Sequence, residues 1–202
     1  MEKFNFEREF GIKKDNLFEI AKTSILYFLK NKKFPKVIKK GKKAAIFVTL
    51  FKNNELRGCI GSLQAIRVIS EDVSINSINA AFFDPRFLPL TKEELEKNKD
   101  NMEIEISVLT PMKKFEGSLK EWINFLIKEK PGVFIVKDGL SATFLPDVWK
   151  QLPDPFDFMN HLAIKAGMNV TDWVEAEKYY YYTISFKKKW NEIKENWNWI
   201  IK

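Results

Sequence analysis

Two hairpin signals constrain the fold of this chain more than any other feature of its sequence. Residues 44–51 form a β-rich apolar run, and residues 56–63 return as a second run after the polar turn 52–55, Lys-Asn-Asn-Glu. Because Asn tolerates left-handed backbone angles, this spacing predicts an antiparallel hairpin. A second hairpin is predicted where Asp138-Gly139 separates residues 133–136 from residues 140–145.

The other apolar segments follow either strand or helix spacing. Residues 102–109 alternate apolar and polar, which is typical of a half-exposed strand, and residues 179–186 are predicted to form the final strand. Helices are predicted over 15–29, over 70–83 with Ser70 as N-cap, after Thr91, over 118–128, from Asp154-Pro155 to Gly167, and over 190–201. Without a regular strand-helix repeat, these elements predict an α+β fold with a largely antiparallel sheet and flanking helices.

The composition favours a cytoplasmic protein without a membrane segment. No run of about 18 apolar residues is present, and the start Met1-Glu2-Lys3 lacks the apolar core of a signal peptide. Cys59 is the single cysteine and His161 the single histidine, which excludes an internal disulfide framework and a His/Cys zinc cage. No carboxylate cluster indicates a metal site, and no glycine-rich motif indicates a particular cofactor, whose identity stays open.

The net charge of +7 arises at the N-terminal end of the sequence. Residues 1–43 carry thirteen Lys or Arg and five Asp or Glu, whereas the rest of the chain is close to neutral. The stretch 30–43 is rich in lysine and contains no acidic residue. Such a stretch either contacts the phosphates of RNA or forms a solvated face, and it lacks interleaved aromatic residues for stacking bases, which favours the solvated face.

The strand that follows the first turn contains Leu-Arg-Gly-Cys-Ile-Gly at 56–61. Alternation along a strand predicts that Arg57, Cys59 and Gly61 share one face. A cation beside a thiol lowers its pKa, so Cys59 is a candidate nucleophile or redox-sensitive thiol, and Arg57 a candidate clamp for an anion. Gly58 and Gly61 leave room for a backbone or a ligand. In the alternative interpretation, Cys59 is a small buried apolar residue and Arg57 pairs with a structural carboxylate.

Arginine is scarce in this chain, which carries Lys at 30 of its 34 basic positions. A retained Arg suggests a need for its planar, bidentate charge, and Arg86 stands in the motif Asp84-Pro85-Arg86-Phe87 at the end of a predicted helix. We expect Asp84 and Arg86 either to form a second wall of the same site or to close the helix with a local salt bridge. His161, inside a later helix, is expected to be partly buried and hydrogen-bonded rather than paired with Cys59.

These motifs together resemble the AMMECR family, named for the human chromosomal region of Alport syndrome, midface hypoplasia and elliptocytosis. The resemblance covers about residues 15–186 in the family's order. It rests on the hallmark strand 56–63, on Ala-Ala-Phe-Phe-Asp-Pro-Arg-Phe at 80–87, on the block 103–111, and on looser blocks at 145–148 and 161–167. Two departures concern the site, since residues 139–143 lack the family's frequent Arg-Ser-Gly and Ala163 stands where a second cysteine is common.

The resemblance implies two unequal lobes with the hallmark strand near a cleft between them, and it brings no established activity. Microbial members are associated with Memo-like and radical-SAM proteins, which are therefore the expected partners. The leading hypothesis is a site around Arg57 and Cys59, with Gly58, Gly61, Asp84 and Arg86, that binds an anionic small molecule or a modified nucleotide. Whether the protein is an enzyme stays open. The alternatives are a non-catalytic adaptor that docks a partner enzyme, and RNA binding through residues 30–43.

Overall fold

The computed structural model describes residues 5–201, which divide into two compact units. Unit 1 contains residues 5–109 and 184–201, and unit 2 contains residues 110–183. The helices are α1 (Phe6–Phe10), α2 (Lys14–Asn31), α3 (Ile69–Phe82), α4 (Lys92–Asn98), α5 (Leu119–Glu129) and α6 (Pro155–Lys165). The strands are β1 (Lys36–Val37), β2 (Ile46–Lys52), β3 (Glu55–Gly61), β4 (Met102–Leu109), β5 (Lys113–Lys114), β6 (Gly132–Lys137), β7 (Leu140–Phe144), β8 (Glu177–Tyr181), β9 (Thr183–Lys189) and β10 (Ile200–Ile201).

Unit 1 is built on a four-stranded sheet with the order β3-β2-β4-β9. Strand β2 pairs antiparallel with both β3 and β4, and Asn53 and Asn54 take the left-handed angles (φ of 53° and 65°) that the turn requires. Alternate apolar residues of the two strands are fully buried in a core shared with α2 and α3, namely Ile46, Val48 and Leu50 of β2 and Met102, Ile104, Ile106 and Val108 of β4. The first hairpin and the strand 102–109 are therefore confirmed, because alternating burial decides the register of this sheet.

Unit 2 contains a second four-stranded sheet, ordered β5-β8-β6-β7, whose core also includes α5 and α6. Asp138 and Gly139 have positive φ (51° and 80°) between β6 and β7, as the second hairpin predicts. Helix α5 begins after the N-cap Ser118, and α6 begins after Asp154, whose carboxylate accepts the main-chain N–H of residues 156 and 157. With antiparallel pairing in both units, the α+β prediction is confirmed. No helix within residues 5–201 has the length and apolar character needed to span a membrane.

Two predicted elements near the C-terminal end are wrong. The single strand 179–186 is two strands, β8 and β9, which belong to different sheets. The break falls at Tyr182, whose N–H donates to the hydroxyl of Thr110 and whose carbonyl accepts the N–H of Thr110. The N–H and carbonyl of Tyr182 are thus bonded to Thr110, and they are not free to pair with a neighbouring strand as they would in a continuous strand.

The tail 190–201 is not a helix but consists of two 3-10 turns, Trp190–Glu192 and Trp197–Trp199, followed by β10. Lys22 of α2 is buried, and its ammonium donates to the carbonyls of Trp190 (3.2 Å) and Ile193 (2.8 Å). A helix would need those carbonyls for its own ladder. The ammonium of Lys22 therefore takes the place of the main-chain N–H groups that would bond to these carbonyls in a helix.

The predicted N-cap Ser70 lies inside α3, which begins at Ile69 without a side-chain cap. The hydroxyl of Ser70 instead donates to the carbonyl of Ile38 (3.0 Å) and accepts the N–H of Lys40 (2.8 Å). These bonds hold the basic segment 30–43 against the start of α3.

Candidate functional site

A β-bulge in the hallmark strand decides where its side chains go. The consecutive residues Leu50 and Phe51 of β2 lie opposite Gly58 and Leu56 of β3, which leaves Arg57 as an extra residue. Such an insertion interrupts the two-residue alternation of a strand. The pattern that placed Arg57 and Cys59 on one face is broken at Arg57 itself.

The guanidinium of Arg57 is engaged by helix α4 and by the loop before it. Nε and Nη2 donate to the two carboxylate oxygens of Glu94 (2.8 and 2.9 Å), and Nη2 also donates to the carbonyl of Leu88 (2.8 Å). Glu94 accepts a further bond from Lys52 (2.9 Å), and these partners, Arg57 first, lower its pKa to about 2. The predicted placement of this guanidinium beside the thiol of Cys59 is therefore wrong, since Arg57 ties β3 to α4.

A different arginine reaches the main chain of Cys59. The N–H of Cys59 donates to Oδ2 of Asp84 (2.8 Å), and Nη2 of Arg86 donates to the carbonyl of Cys59 (3.2 Å). Asp84 also accepts from the N–H, Nε and Nη2 of Arg86, at 3.1, 2.9 and 2.7 Å. The Arg86 guanidinium, helped by the Cys59 N–H, lowers the pKa of Asp84 well below its usual range. The structure thus brings Cys59, Asp84 and Arg86 together.

Exposure differs sharply within this group. Asp84 is 4% exposed, whereas the side chain of Arg86 is 54% exposed. The ring of Phe87 is close to both arginines, with its centroid 5.6 Å from the guanidinium carbon of Arg86 and 5.9 Å from that of Arg57. Arg86, rather than Arg57, presents a held guanidinium to solvent.

The thiol of Cys59 is half-buried and accepts a hydrogen bond from the hydroxyl of Thr49 (3.1 Å). Burial is the largest cause and raises the pKa of Cys59, while the hydrogen bond from Thr49 and the charge of Arg86 lower it in part, and the charges of Asp84 and Glu105 add smaller increases. A thiol with a raised pKa stays protonated at neutral pH, and the protonated form is the weaker nucleophile. This environment therefore favours a structural role for Cys59, as a residue that lines a site, over the role of an activated nucleophile.

Packing accounts for the two glycines of the hallmark. A Cβ at Gly58 would collide with the main-chain carbonyl of Ala80 in α3, and a Cβ at Gly61 would collide with the ring of Phe47. Gly58 lets the helix approach the sheet closely, and Gly61 makes room for an aromatic neighbour. The space predicted for a ligand at these positions is filled by the protein itself.

Sequence reasoning missed a buried polar network just beyond β3. Asp72 of α3 is fully buried and accepts hydrogen bonds from the hydroxyl of Ser62 (2.9 Å), Nε of Arg67 (2.8 Å) and Nδ2 of Asn76 (3.1 Å). From its position in the sequence, Asp72 is predicted only to place a favourable negative charge in the first turn of the helix. The scarcity of arginine could have indicated Arg67, which here fixes the loop after the hallmark strand.

His161 lies in unit 2, on an exposed face of α6, with Nδ1 2.8 Å from the carbonyl oxygen of Asp157. The expectation of a partly buried histidine is wrong, because the apolar face of α6 is formed by Phe158, Met159 and Leu162. The expected hydrogen bond is present.

These observations define an α+β protein with a hallmark strand whose main chain is held by an Asp-Pro-Arg segment. The AMMECR1 family model matches residues 18–186. The chain therefore belongs to the AMMECR1 family.

Relatives of this chain are found among archaeal proteins. It is 33% identical to Protein NEQ441 of Nanoarchaeum equitans, over 80% of this chain and 92% of that protein. It is also 33% identical to Protein MK0488 of Methanopyrus kandleri, over 80% of each chain. Among solved structures, the uncharacterized protein PH0010 from Pyrococcus horikoshii has a similar fold, with a TM-score of 0.72 and 29% identity over 87% of this chain and 91% of that one.

Proposed function

We propose that this protein binds an anionic small molecule or a modified nucleotide beside Cys59, at the outer side of β3. The observation that carries the proposal is Arg86, an exposed guanidinium that Asp84 holds in one orientation. A pre-oriented guanidinium binds carboxylate or phosphate at a lower entropic cost than a free one.

The hydrogen bonding around Arg86 supports binding of an anion. Asp84 is buried, and its carboxylate accepts hydrogen bonds from four donors. In contrast, Nη1 of Arg86 makes no hydrogen bond within residues 5–201. The neighbouring group of Arg57, Lys52 and Glu94 has one positive charge in excess. An anion that contacts Nη1 would therefore meet a donor that no carboxylate within residues 5–201 already occupies.

Within this proposal, the residues of the hypothesis have different roles. Cys59 lines the site as a neutral thiol, and an enzymatic role would require its deprotonation at the time of reaction. Arg57 is a positioning residue, because it holds the carbonyl of Leu88 next to Phe87. Gly58 and Gly61 shape the strand without contacting the ligand.

Thermal unfolding with AMP and with inorganic phosphate as probe anions tests the proposal. A ligand at about 100 times its Kd stabilises the folded state by about 2.7 kcal/mol, so we expect the Tm of the wild type to rise by several degrees. Arg86→Gln should lose this shift and Arg86→Lys should keep part of it. The matched control is Arg8→Gln, which removes an exposed arginine of α1 and should respond like the wild type. Equal shifts in all four proteins would contradict the proposal.

The accessibility of Cys59 supplies an independent readout. Because its pKa is raised, the rate of alkylation by iodoacetamide should increase with pH to a midpoint above that of a free thiol, about 8.5. Bound AMP should slow the alkylation of the wild type and leave the rate of Arg86→Gln unchanged. A rate that is insensitive to every probe anion would place the ligand elsewhere.

The adaptor hypothesis is separated by function in the cell. If the folded variants Arg86→Gln and Cys59→Ser both retain full function, the site is dispensable and an adaptor role is favoured. Memo-like and radical-SAM partners stay a prediction from family resemblance.

A further inference from the structure

We propose a second binding surface in unit 1 that takes single-stranded nucleic acid, through stacking of bases on Phe34 and Phe83 and through contacts of lysines with phosphates. We call it the basic platform, defined by these two rings and the eight lysines of residues 30–43. It uses no residue of the proposed anion site, and its test is independent of that proposal.

The two rings come together from distant parts of the sequence. Phe34 follows α2 and Phe83 follows α3, yet their centroids lie 6.0 Å apart with planes 14° from parallel. They are 47% and 54% exposed. Both pack in T-shaped contacts with the buried ring of Phe28, at centroid distances of 5.3 and 5.4 Å. The platform is therefore anchored in the core and still offers aromatic surface to solvent, which supplies the aromatic element that the basic stretch lacks in sequence.

The main chain of the basic segment is fixed. Strand β1 pairs with β10, Ile38 donates its N–H to the carbonyl of Trp199 (2.9 Å), and Lys40 is held by Ser70. Further along, the N–H of Lys42 donates to the carbonyl of Phe10 (2.9 Å). A fixed main chain holds the charges in place before a ligand arrives, which reduces the entropy lost on binding.

The lysines of this segment are directed to solvent and largely without acidic partners. All eight are exposed, and within residues 5–201 the ion pair found for them is that of Lys39 with Glu71, at 3.1 Å. An exposed cluster of one sign attracts a polyanion and repels other cations. The full set is Lys30, Lys32, Lys33, Lys36, Lys39, Lys40, Lys42 and Lys43.

The arrangement favours a single strand over other polyanions. In a duplex the π-faces of a base are covered by its stacked neighbours, whereas a base of a single strand can turn a face to the protein, and aromatic rings beside a cationic track are the recurring means of binding such strands. A membrane would be expected to meet a longer apolar face with cations on the opposite side of a helix, whereas Lys30 is the only one of these eight lysines in a helix and the other seven follow α2. RNA and single-stranded DNA share the recognised chemistry.

Fluorescence anisotropy with labelled oligouridylate and oligothymidylate of about 12 nucleotides tests the charges. Affinity should fall with salt between about 50 and 200 mM, with a log-log slope of about −0.7 per phosphate contact. The variant Lys30→Gln/Lys33→Gln/Lys36→Gln should reduce the slope by about 2 units. The control Lys113→Gln/Lys120→Gln/Lys128→Gln removes the same charge from exposed positions of unit 2 and should leave the slope unchanged.

Leucine substitutions test the rings while retaining apolar contact with Phe28. Phe34→Leu and Phe83→Leu should each weaken binding about fivefold to 100-fold, with an unchanged salt slope and an unchanged Tm. Leu88→Ala, which truncates an apolar residue that is 84% exposed, is the control and should bind like the wild type.

Three results would overturn the proposal. These are binding of duplex DNA as tight as that of the single strands, full affinity in both leucine variants, and equal loss of slope in the two lysine variants. Vesicles of anionic lipid that bind with undiminished affinity while the oligonucleotides do not would assign the surface to a membrane instead. Equal affinities for oligouridylate and oligothymidylate would support a surface that binds single strands without distinguishing RNA from DNA. A preference for oligouridylate would support RNA as the ligand.

Discussion

The outer side of β3 and the basic segment 30–43 both concentrate cations in unit 1, and they use them in opposite ways. At β3 the charges are arginines in bidentate contact with carboxylates, and Arg57 is almost completely buried. In the basic segment the charges are exposed lysines, and the main chain rather than the side chains makes the specific contacts. Cations of the first kind are paired with carboxylates of the fold, even where one of them, Arg86, is also exposed, whereas those of the second kind end in solvent.

The difference follows from the chemistry of the two side chains. A guanidinium can satisfy a carboxylate through two parallel bonds and stays charged when buried, while an ammonium is more strongly hydrated and prefers water. Arg57 pairs with Glu94, Arg67 with Asp72, and Arg86 with Asp84, and each of these carboxylates belongs to the same unit as its arginine. The residue type therefore indicates the task better than net charge does.

The largest effect is expected on removing the buried arginine. Arg57→Met leaves Glu94 without its bidentate partner and should lower the free energy of unfolding by about 3 kcal/mol, measured by urea denaturation. The matched control is Lys92→Met, because the Lys92–Glu96 pair is exposed on both sides and should contribute less than about 0.5 kcal/mol. Equal losses in the two variants would break the comparison of buried and exposed cations.

A second test concerns the approach of α3 to the strand. Gly58→Ala places a methyl group against the carbonyl of Ala80, and relief of this collision should cost about 2 kcal/mol of stability. Gly139→Ala is the reference, since its Cβ meets nothing within 4 Å and its cost of about 1 kcal/mol comes from the positive φ alone. If Gly58→Ala proves as stable as the wild type, the helix is not held at contact distance.

Low pH should reduce the stability that the carboxylates of Glu94 and Asp84 contribute beside β3. The folded-state pKa of Glu94 is lowered to about 2 and that of Asp84 is also lowered, so both carboxylates contribute stability that is present above their unfolded values, near 4. That contribution is lost as pH falls from about 4.5 towards 2. Urea denaturation across this range should show a shallower fall for Glu94→Gln than for the wild type. If the free energy of unfolding of Glu94→Gln falls with pH as steeply as that of the wild type, the ion pairs of Glu94 do not contribute to stability in this pH range.

The smallest effect is expected for the exposed lysines. The variant Lys30→Gln/Lys33→Gln/Lys36→Gln should change the free energy of unfolding by less than about 0.5 kcal/mol, because these side chains end in water. Its acid profile should follow that of the wild type. A loss above 1 kcal/mol, roughly twice the usual surface effect, would mean that the segment is part of the scaffold after all.

Local pattern predicted much of this fold, and tertiary contacts decided the rest. The strand 102–109 and the turn at Asn53-Asn54 were predictable, because alternation and turn chemistry act between neighbours in sequence. The bulge at Arg57 was not, since one inserted residue leaves no periodic trace. The tail 190–201 has apolar residues at helical spacing, yet Lys22 takes the carbonyls that a helix would need.

The candidate site shows the same division. The nearness of Asp84 and Arg86 could be expected from a two-residue spacing, and the composition made both arginines conspicuous. Which arginine reaches Cys59 depended on the partner in α4, and the meeting of Phe34 with Phe83 depended on the packing of α2 against α3. One sequence by itself does not indicate which helices, distant along the chain, will contact each other.

The bonds that Asp84 and Arg86 make with the main chain of Cys59 have a consequence for association between molecules. Strand β3 is the outermost strand of its sheet, and an outer strand offers unpaired N–H and C=O groups to any other extended chain. Here a carboxylate stands where a neighbouring carbonyl would be, and a guanidinium stands where a neighbouring N–H would be. The Asp-Pro-Arg segment thus occupies the main-chain groups of Cys59 and hinders the pairing of another chain with this part of the strand.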